Sequence, residues 1–136
     1  RSVIGTAGIL VSKVEYIKKA GEKKFAIIDA GMNDLIRPSL YEAWHKVIEV
    51  NHKNTDLDMY DLAGPVCETG DVLAKDRNLK IMPGDHVAFM DVGAYGSVMT
   101  SNYNSRLRPI ELLVTKDKVQ VIKRKESFED IVALET

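Results

Sequence analysis

The sequence predicts a mainly β domain, a barrel or sandwich carrying a few short helices. Apolar, β-branched and aromatic residues come in short runs, each closed by glycine, proline or Asn/Asp turn residues. No such run alternates with a long amphipathic helix, which disfavours a parallel sheet built from helical crossovers. At 136 residues, 45% hydrophobic and 29% charged, the chain has the length and balance of one globular domain.

Val11, Val14 and Tyr16 mark a strand from about Ala7 to Ile17. The charged, glycine-containing stretch from Lys18 to Lys24 reads as a hairpin loop. Phe25 to Asp29 is a continuous apolar run and reads as a second, well-buried strand. Turn formers from Asp29 to Asp34 end it. Pro38 opens a short helix carrying Leu40 and Tyr41. Val47, Ile48 and Val50 suggest another strand, followed by a polar connection from Asn51 to Asp58. Met59 to Ala63 is the next strand, stopped by Gly64-Pro65.

Pro83 and Gly84 have the order of the central residues of a type II turn, and the strand His86 to Asp91 follows. Asp91 to Gly96 is a glycine-flanked loop. Ile110 to Thr115 and Val119 to Lys123, joined by Lys116-Asp117-Lys118, form a hairpin. Ser127 caps a last helix through Leu134, with Glu129 and Asp130 at its start. The total is seven or eight strands and two short helices, without repeat or linker.

Composition excludes several classes. Lys+Arg at 19 against Asp+Glu at 20 leaves a net charge of -1, no basis for a nucleic-acid or anionic-membrane surface. The longest near-apolar run, Val3 to Val11, is broken by Gly5, Thr6 and Gly8 and falls far short of the roughly 20 residues of a membrane span. A lone cysteine, Cys67, makes no internal disulfide and suits a reducing compartment, so a cytoplasmic location is expected. His45, His52 and His86 lack metal-ligand spacing, and no metal is expected. The chain opens on Arg1 rather than methionine, as a piece of something longer would.

Three loops hold the chemistry. In Gly64-Pro65-Val66-Cys67-Glu68-Thr69-Gly70-Asp71, terminal glycines let the backbone turn tightly and present Cys67 and Glu68. A thiol with an ordinary pKa of about 8.5 can deliver a proton, and a carboxylate can bind an ammonium group. The plainer alternative is a small buried cysteine beside a solvated glutamate. In Asp91 to Gly96, the Tyr95 hydroxyl and nearby N–H groups can meet a phosphate, or Tyr95 can pack as core. Arg37 and Tyr41 stand one helical turn apart, where a guanidinium fork can grip a carboxylate, or Arg37 is a surface residue at a turn. The polar stretch Ser101-Asn102-Tyr103-Asn104-Ser105-Arg106 is expected to line an interface.

Taken together, three stretches resemble the C-terminal domain of the diaminopimelate decarboxylases, fold-type III enzymes dependent on pyridoxal 5'-phosphate. They are Asp29-Ala30-Gly31-Met32-Asn33-Asp34-Leu35-Ile36-Arg37-Pro38, the Gly64 to Asp71 loop, and Gly93-Ala94-Tyr95-Gly96 followed by Ser101-Asn102-Tyr103-Asn104. They keep the family's order and spacing, and the likeness covers essentially the whole chain. It implies an antiparallel, Greek-key-like β-barrel with a few short helices, like the C-terminal domain of alanine racemase. Residues 1–136 would be that single domain. A TIM-like N-terminal barrel, holding the cofactor on a Schiff-base lysine, would lie outside the chain.

The resemblance also implies roles. Arg1, Arg37 and Tyr41 match substrate contacts, the last two gripping the remote carboxylate. Cys67 matches the proton donor and Glu68 the carboxylate that holds the distal ammonium. Tyr95 matches a residue at both cofactor and substrate. Cys67 and Glu68 would reach into a neighbouring subunit's site, giving a homodimer with shared active sites. The implied reaction is decarboxylation of meso-2,6-diaminopimelate to L-lysine and carbon dioxide, the last step of lysine biosynthesis, with this segment alone incomplete for catalysis. Thr69 stands where serine is common, and Leu107 where Arg-Pro-Arg-Pro is often seen.

Two other readings stand beside this one. A decarboxylase of another basic amino acid (arginine, ornithine or carboxynorspermidine) is opposed by Glu68 and the Arg37/Tyr41 pair. A non-catalytic β-barrel dimerisation module is opposed by the presented Cys67-Glu68 pair.

Overall fold

The computed structural model describes residues 2–51 and 55–136. Six strands form one strongly bent sheet: β1 (Leu10–Ala20), β2 (Lys23–Ile28), β3 (Val47–Glu49), β4 (Asp58–Ala63), β5 (Val72–Leu79) and β6 (His86–Phe89). The order across the sheet is β3-β6-β1-β2-β4-β5. β1 explains the bend. Its first half, Leu10 to Lys13, pairs with β6 and its second half, Val14 to Ala20, with β2, with an irregularity between Val14 and Tyr16. The edge strands β3 and β5 come together, and Glu49 accepts a hydrogen bond from the Lys80 N–H at 2.7 Å. The sheet is thereby a nearly closed barrel, as the sequence predicts.

Most of the strand pairs are antiparallel, but β2 and β4 run parallel, with Lys24 opposite Tyr60 and Ile27 opposite Ala63. The chain leaves β2, forms the short helix α1 (Arg37–Tyr41) and β3, and re-enters beside β2 in the same direction. The elements also differ in detail from those expected. β1 and β2 extend through the charged stretch, so the hairpin turn contracts to Gly21-Glu22, with Gly21 at φ +63°. The polar connection before β4 includes residues 52–54, which lie outside the described residues. β5 replaces what sequence patterning left without a strand.

The barrel is closed around Val14, Ala26, Ile28, Leu62, Val87 and Phe89, all fully buried. Burying the larger of these, Val14, Ile28, Leu62, Val87 and Phe89, contributes about 1.5–3 kcal/mol each. Pro83-Gly84 forms the expected turn: Gly84 sits at φ +89° and the Asp85 N–H donates to the Met82 carbonyl at 3.1 Å.

Beyond the barrel, β7 (Glu111–Val114) and β8 (Val119–Lys123) form a separate hairpin. Leu112, Leu113, Val114, Val119, Val121 and Ile122 are all exposed on it. The helix α2 (Phe128–Val132) begins with a reciprocal cap between Ser127 and Asp130. Arg124 grips Asp130 with two bonds of 2.6 Å, holding that carboxyl far below the usual range. No described helix is long and apolar enough to cross a membrane.

Candidate active site

The turn that ends β2 organises the site. Asp34 folds back to accept from the Gly31 N–H at 2.9 Å, and Asn33, almost fully buried, donates to Asp34 at 2.9 Å. Two neighbouring loops fasten onto this turn. Arg106 donates to the Asn33 side-chain oxygen and to the Asp29 carbonyl, and the Ser101 N–H donates to the Asn33 carbonyl at 3.0 Å. On the other side, Asp71 accepts from the Met32 N–H at 2.5 Å and the Val66 N–H at 2.6 Å. Burial pushes the carboxyls of Asp34 and Asp71 upward, against the pull of these bonds and of Arg106.

Asp71 also shapes the loop before it. The Gly64 N–H donates to the Asp71 carbonyl at 2.8 Å, and a side chain on Gly64 would strike the Asp71 carboxylate. The loop so closed presents both Cys67 and Glu68 to solvent, which removes the buried-cysteine alternative. Glu68 does not stand alone: the Tyr103 hydroxyl donates to its Oε1. That bond pushes the Tyr103 phenol above its ordinary value.

Helix α1 starts on Arg37 and Pro38, and the αL conformation of Glu42 ends it. It carries Arg37 and Tyr41 on one face, as the spacing predicts. The Arg37 guanidinium lies 5.3 Å from the Tyr41 ring centre and 5.6 Å from that of Tyr95. Its Nε is buried without a hydrogen-bond partner, and it makes no ion pair among the described residues. Tyr95 is half exposed rather than core, on a loop where its own φ is +63°. That loop rests on the chain's start. The Val92 N–H donates to the Gly8 carbonyl at 3.0 Å and the Gly93 N–H to the Gly5 carbonyl at 2.9 Å. A methyl group on Gly8 would lie 2.5 Å from the Gly93 Cα.

The predicted residues therefore fall into two groups: Arg37, Tyr41 and Tyr95 in one, and Cys67 and Glu68 in the other, joined by Tyr103. No hydrogen bond, ion pair or ring contact among the described residues links the groups directly. Their carriers are bolted together, because the Ser39 hydroxyl on α1 donates to the Gly70 carbonyl. Arg1 lies outside the described residues. Sequence reasoning quoted Tyr103 and Arg106 within a motif without giving them roles; their polarity was the only signal.

A groove of about 330 Å³ lies between α1 and β5 and holds none of the predicted site residues. There Arg77 stacks on the Trp44 ring at 4.7 Å. His45 is buried with Nδ1 against the Met90 carbonyl at 2.9 Å, as a core histidine would be. No group of three potential metal ligands occurs among the described residues.

The profile of the family described as pyridoxal-dependent decarboxylase, C-terminal sheet domain, matches residues 2–93, and the chain belongs to that family. Diaminopimelate decarboxylases of Pseudomonas aeruginosa and Vibrio cholerae are 48% and 47% identical over 136 residues, the whole of this chain and 33% of each relative. Diaminopimelate decarboxylase from M. jannaschii, solved in co-complex with L-lysine, has a TM-score of 0.95 at 43% identity, over 99% of this chain and 31% of that one. Lysine decarboxylase from Selenomonas ruminantium is less similar, with a TM-score of 0.65 at 28% identity over 76% of this chain and 27% of that one. The chain spans about a third of the length of the relatives it matches.

Proposed function

We propose that this chain supplies the C-terminal part of the active sites of a diaminopimelate decarboxylase, which converts meso-2,6-diaminopimelate to L-lysine and carbon dioxide. One observation carries the substrate choice: the Arg37 guanidinium, set against Tyr41 and Tyr95, has a buried Nε without a hydrogen-bond partner and makes no ion pair among the described residues. A partly buried cation without a counter-ion is costly, and a substrate carboxylate relieves that cost. Ornithine and arginine have no second carboxylate to offer, so a site of this kind discriminates against them.

Glu68 in this reading takes the distal ammonium, and the exposed Cys67 thiol delivers a proton to the α carbon. The Tyr95 ring lies against the Arg37 cation on a half-exposed loop, and a phenol hydroxyl is a donor that fits an anionic group, so Tyr95 would help to hold pyridoxal 5'-phosphate. When bound, that cofactor takes up the electron pair left by the departing carboxylate. Its Schiff-base lysine belongs, in this reading, to an N-terminal barrel domain outside the chain.

Separation of the two groups favours a homodimer in which Cys67 and Glu68 serve the neighbouring subunit's site. The apolar hairpin β7–β8, exposed on both faces, favours a large companion surface as well. A free, solvent-facing thiol suits a reducing, cytoplasmic setting.

The test is carbon dioxide release by the complete polypeptide with pyridoxal 5'-phosphate. Meso-diaminopimelate, L-ornithine and L-arginine serve as parallel substrates. Turnover confined to diaminopimelate is expected. Turnover of ornithine or arginine instead would keep the cofactor class and overturn the substrate. Inactivity on all three would favour a non-catalytic barrel.

A further inference from the structure

We propose that Tyr103 is a positioning residue for Glu68, its hydroxyl holding one carboxylate oxygen so that the other faces the distal ammonium of the substrate. The inference rests on the diaminopimelate reading for the identity of that ammonium. It rests on geometry for the rest.

Glu68 is an exposed side chain on a loop, and a free glutamate there samples many rotamers. The loop itself is fixed. Its ends close through Gly64 and Asp71, and the Glu68 N–H donates to the Val66 carbonyl at 2.8 Å. Tyr103 approaches from a segment that is fixed independently. The Ser101 N–H and Arg106 on either side of it bind Asn33, and Asn102 donates to the Arg106 carbonyl at 3.0 Å. The residues that follow, Asn104 and Ser105, turn the chain in the left-handed region at φ +60° and +56°. Two rigid carriers thus meet, and the Tyr103 hydroxyl donates to Glu68 Oε1.

A carboxylate has about four acceptor positions on its two oxygens. A neutral donor on Oε1 restrains the side chain without neutralising it, so Oε2 keeps its charge for a cation. An arginine or lysine in place of Tyr103 would hold Glu68 as firmly but cancel the charge that binds substrate. A phenol is the donor that orients without competing.

The experiment uses the complete polypeptide with pyridoxal 5'-phosphate and compares wild type, Tyr103→Phe, Glu68→Gln and the double variant. Tyr103→Phe keeps the ring, and an unchanged thermal midpoint will show that it folds. KM for meso-diaminopimelate should rise about tenfold with kcat altered less than about twofold, the pattern of lost binding common to ground and transition states. Competitive inhibition by L-lysine, which keeps the distal ammonium, should weaken by the same factor. In the Glu68→Gln background, Tyr103→Phe should add nothing. An unchanged KM, or an equal rise in that background, would overturn the proposal.

Should wild type release no carbon dioxide from diaminopimelate, it is the substrate reading that fails. Phenolate absorbance, taken as wild type minus Tyr103→Phe, then decides the coupling. Late titration that becomes ordinary in Glu68→Gln upholds it, and identical titration in both overturns it.

Discussion

Arg106 donates from Nε to the side-chain oxygen of Asn33 at 2.8 Å, across 73 positions of sequence. Its Nη2 continues to the Asp29 carbonyl at 2.6 Å and lies 3.6 Å from Asp34. One guanidinium thereby fastens the Tyr103 segment to the turn at the end of β2. From the other side Asp71 fastens the Cys67 loop to that same turn.

Arg106→Ala should therefore cost more than an ordinary surface substitution. It leaves the Asn33 oxygen buried without its donor, a loss of about 2–3 kcal/mol in unfolding free energy. Urea denaturation of the variant measures it. A loss below about 0.5 kcal/mol would mean that water replaces the guanidinium at no cost.

Asp34 makes stability depend on pH in an unusual sense. Burial, the largest cause, raises its carboxyl above the ordinary 3.8, so the folded state keeps the proton longer than the unfolded chain. Its contribution is fully present below pH 3.8 and is lost as pH rises through the raised folded value. Asp34→Asn should flatten that fall relative to wild type, as read from urea midpoints at stepped pH. Parallel curves for the two proteins would refute it.

Arg37→Ala in the complete polypeptide should depress turnover of diaminopimelate at least about tenfold more than turnover of a monocarboxylate analogue. Matched losses on both substrates would remove Arg37 from carboxylate recognition.

Cys67→Ala should lower kcat by about 10²–10⁴-fold, the range of a lost proton donor. Because the thiol is solvent-facing, the thermal midpoint should stay where it is. Normal turnover by the variant would dismiss the thiol as the donor.

Much of the barrel could be read from the chain because its signals are local. Phe25 to Ile28 is an unbroken apolar run, Pro83-Gly84 has the order of its turn, and Ser127 with Asp130 announces a cap three residues apart. β5 escaped because Lys75, Asp76, Arg77 and Asn78 interrupt its alternation. Asp76 even takes φ +54°, its N–H donating to Asp61 at 2.7 Å. The parallel pairing of β2 with β4 escaped for another reason, since side-chain period reports which face is buried and not which strand lies beside it.

The candidate site was legible where residues share a turn of helix or a loop. Arg37 and Tyr41 are such a pair, and Cys67 and Glu68 another. Tyr95 joins Arg37 from 58 positions away, a pairing that neither spacing nor the family resemblance had named. Tyr103 meets Glu68 from 35 positions away. Nothing in either segment names the other, because the meeting is arranged by Asn33, Arg106 and Asp71.

The contact between Gly8 and Gly93 has a consequence for how such a chain can vary. Mutations at a crowded site are often rescued by trimming the neighbour, but here each neighbour is already the smallest residue there is. Neither glycine can enlarge and be forgiven by its partner. Any change at one must be absorbed by shifting the Gly5–Gly8 backbone away from Val92 and Gly93, and the loop that aims Tyr95 shifts with it.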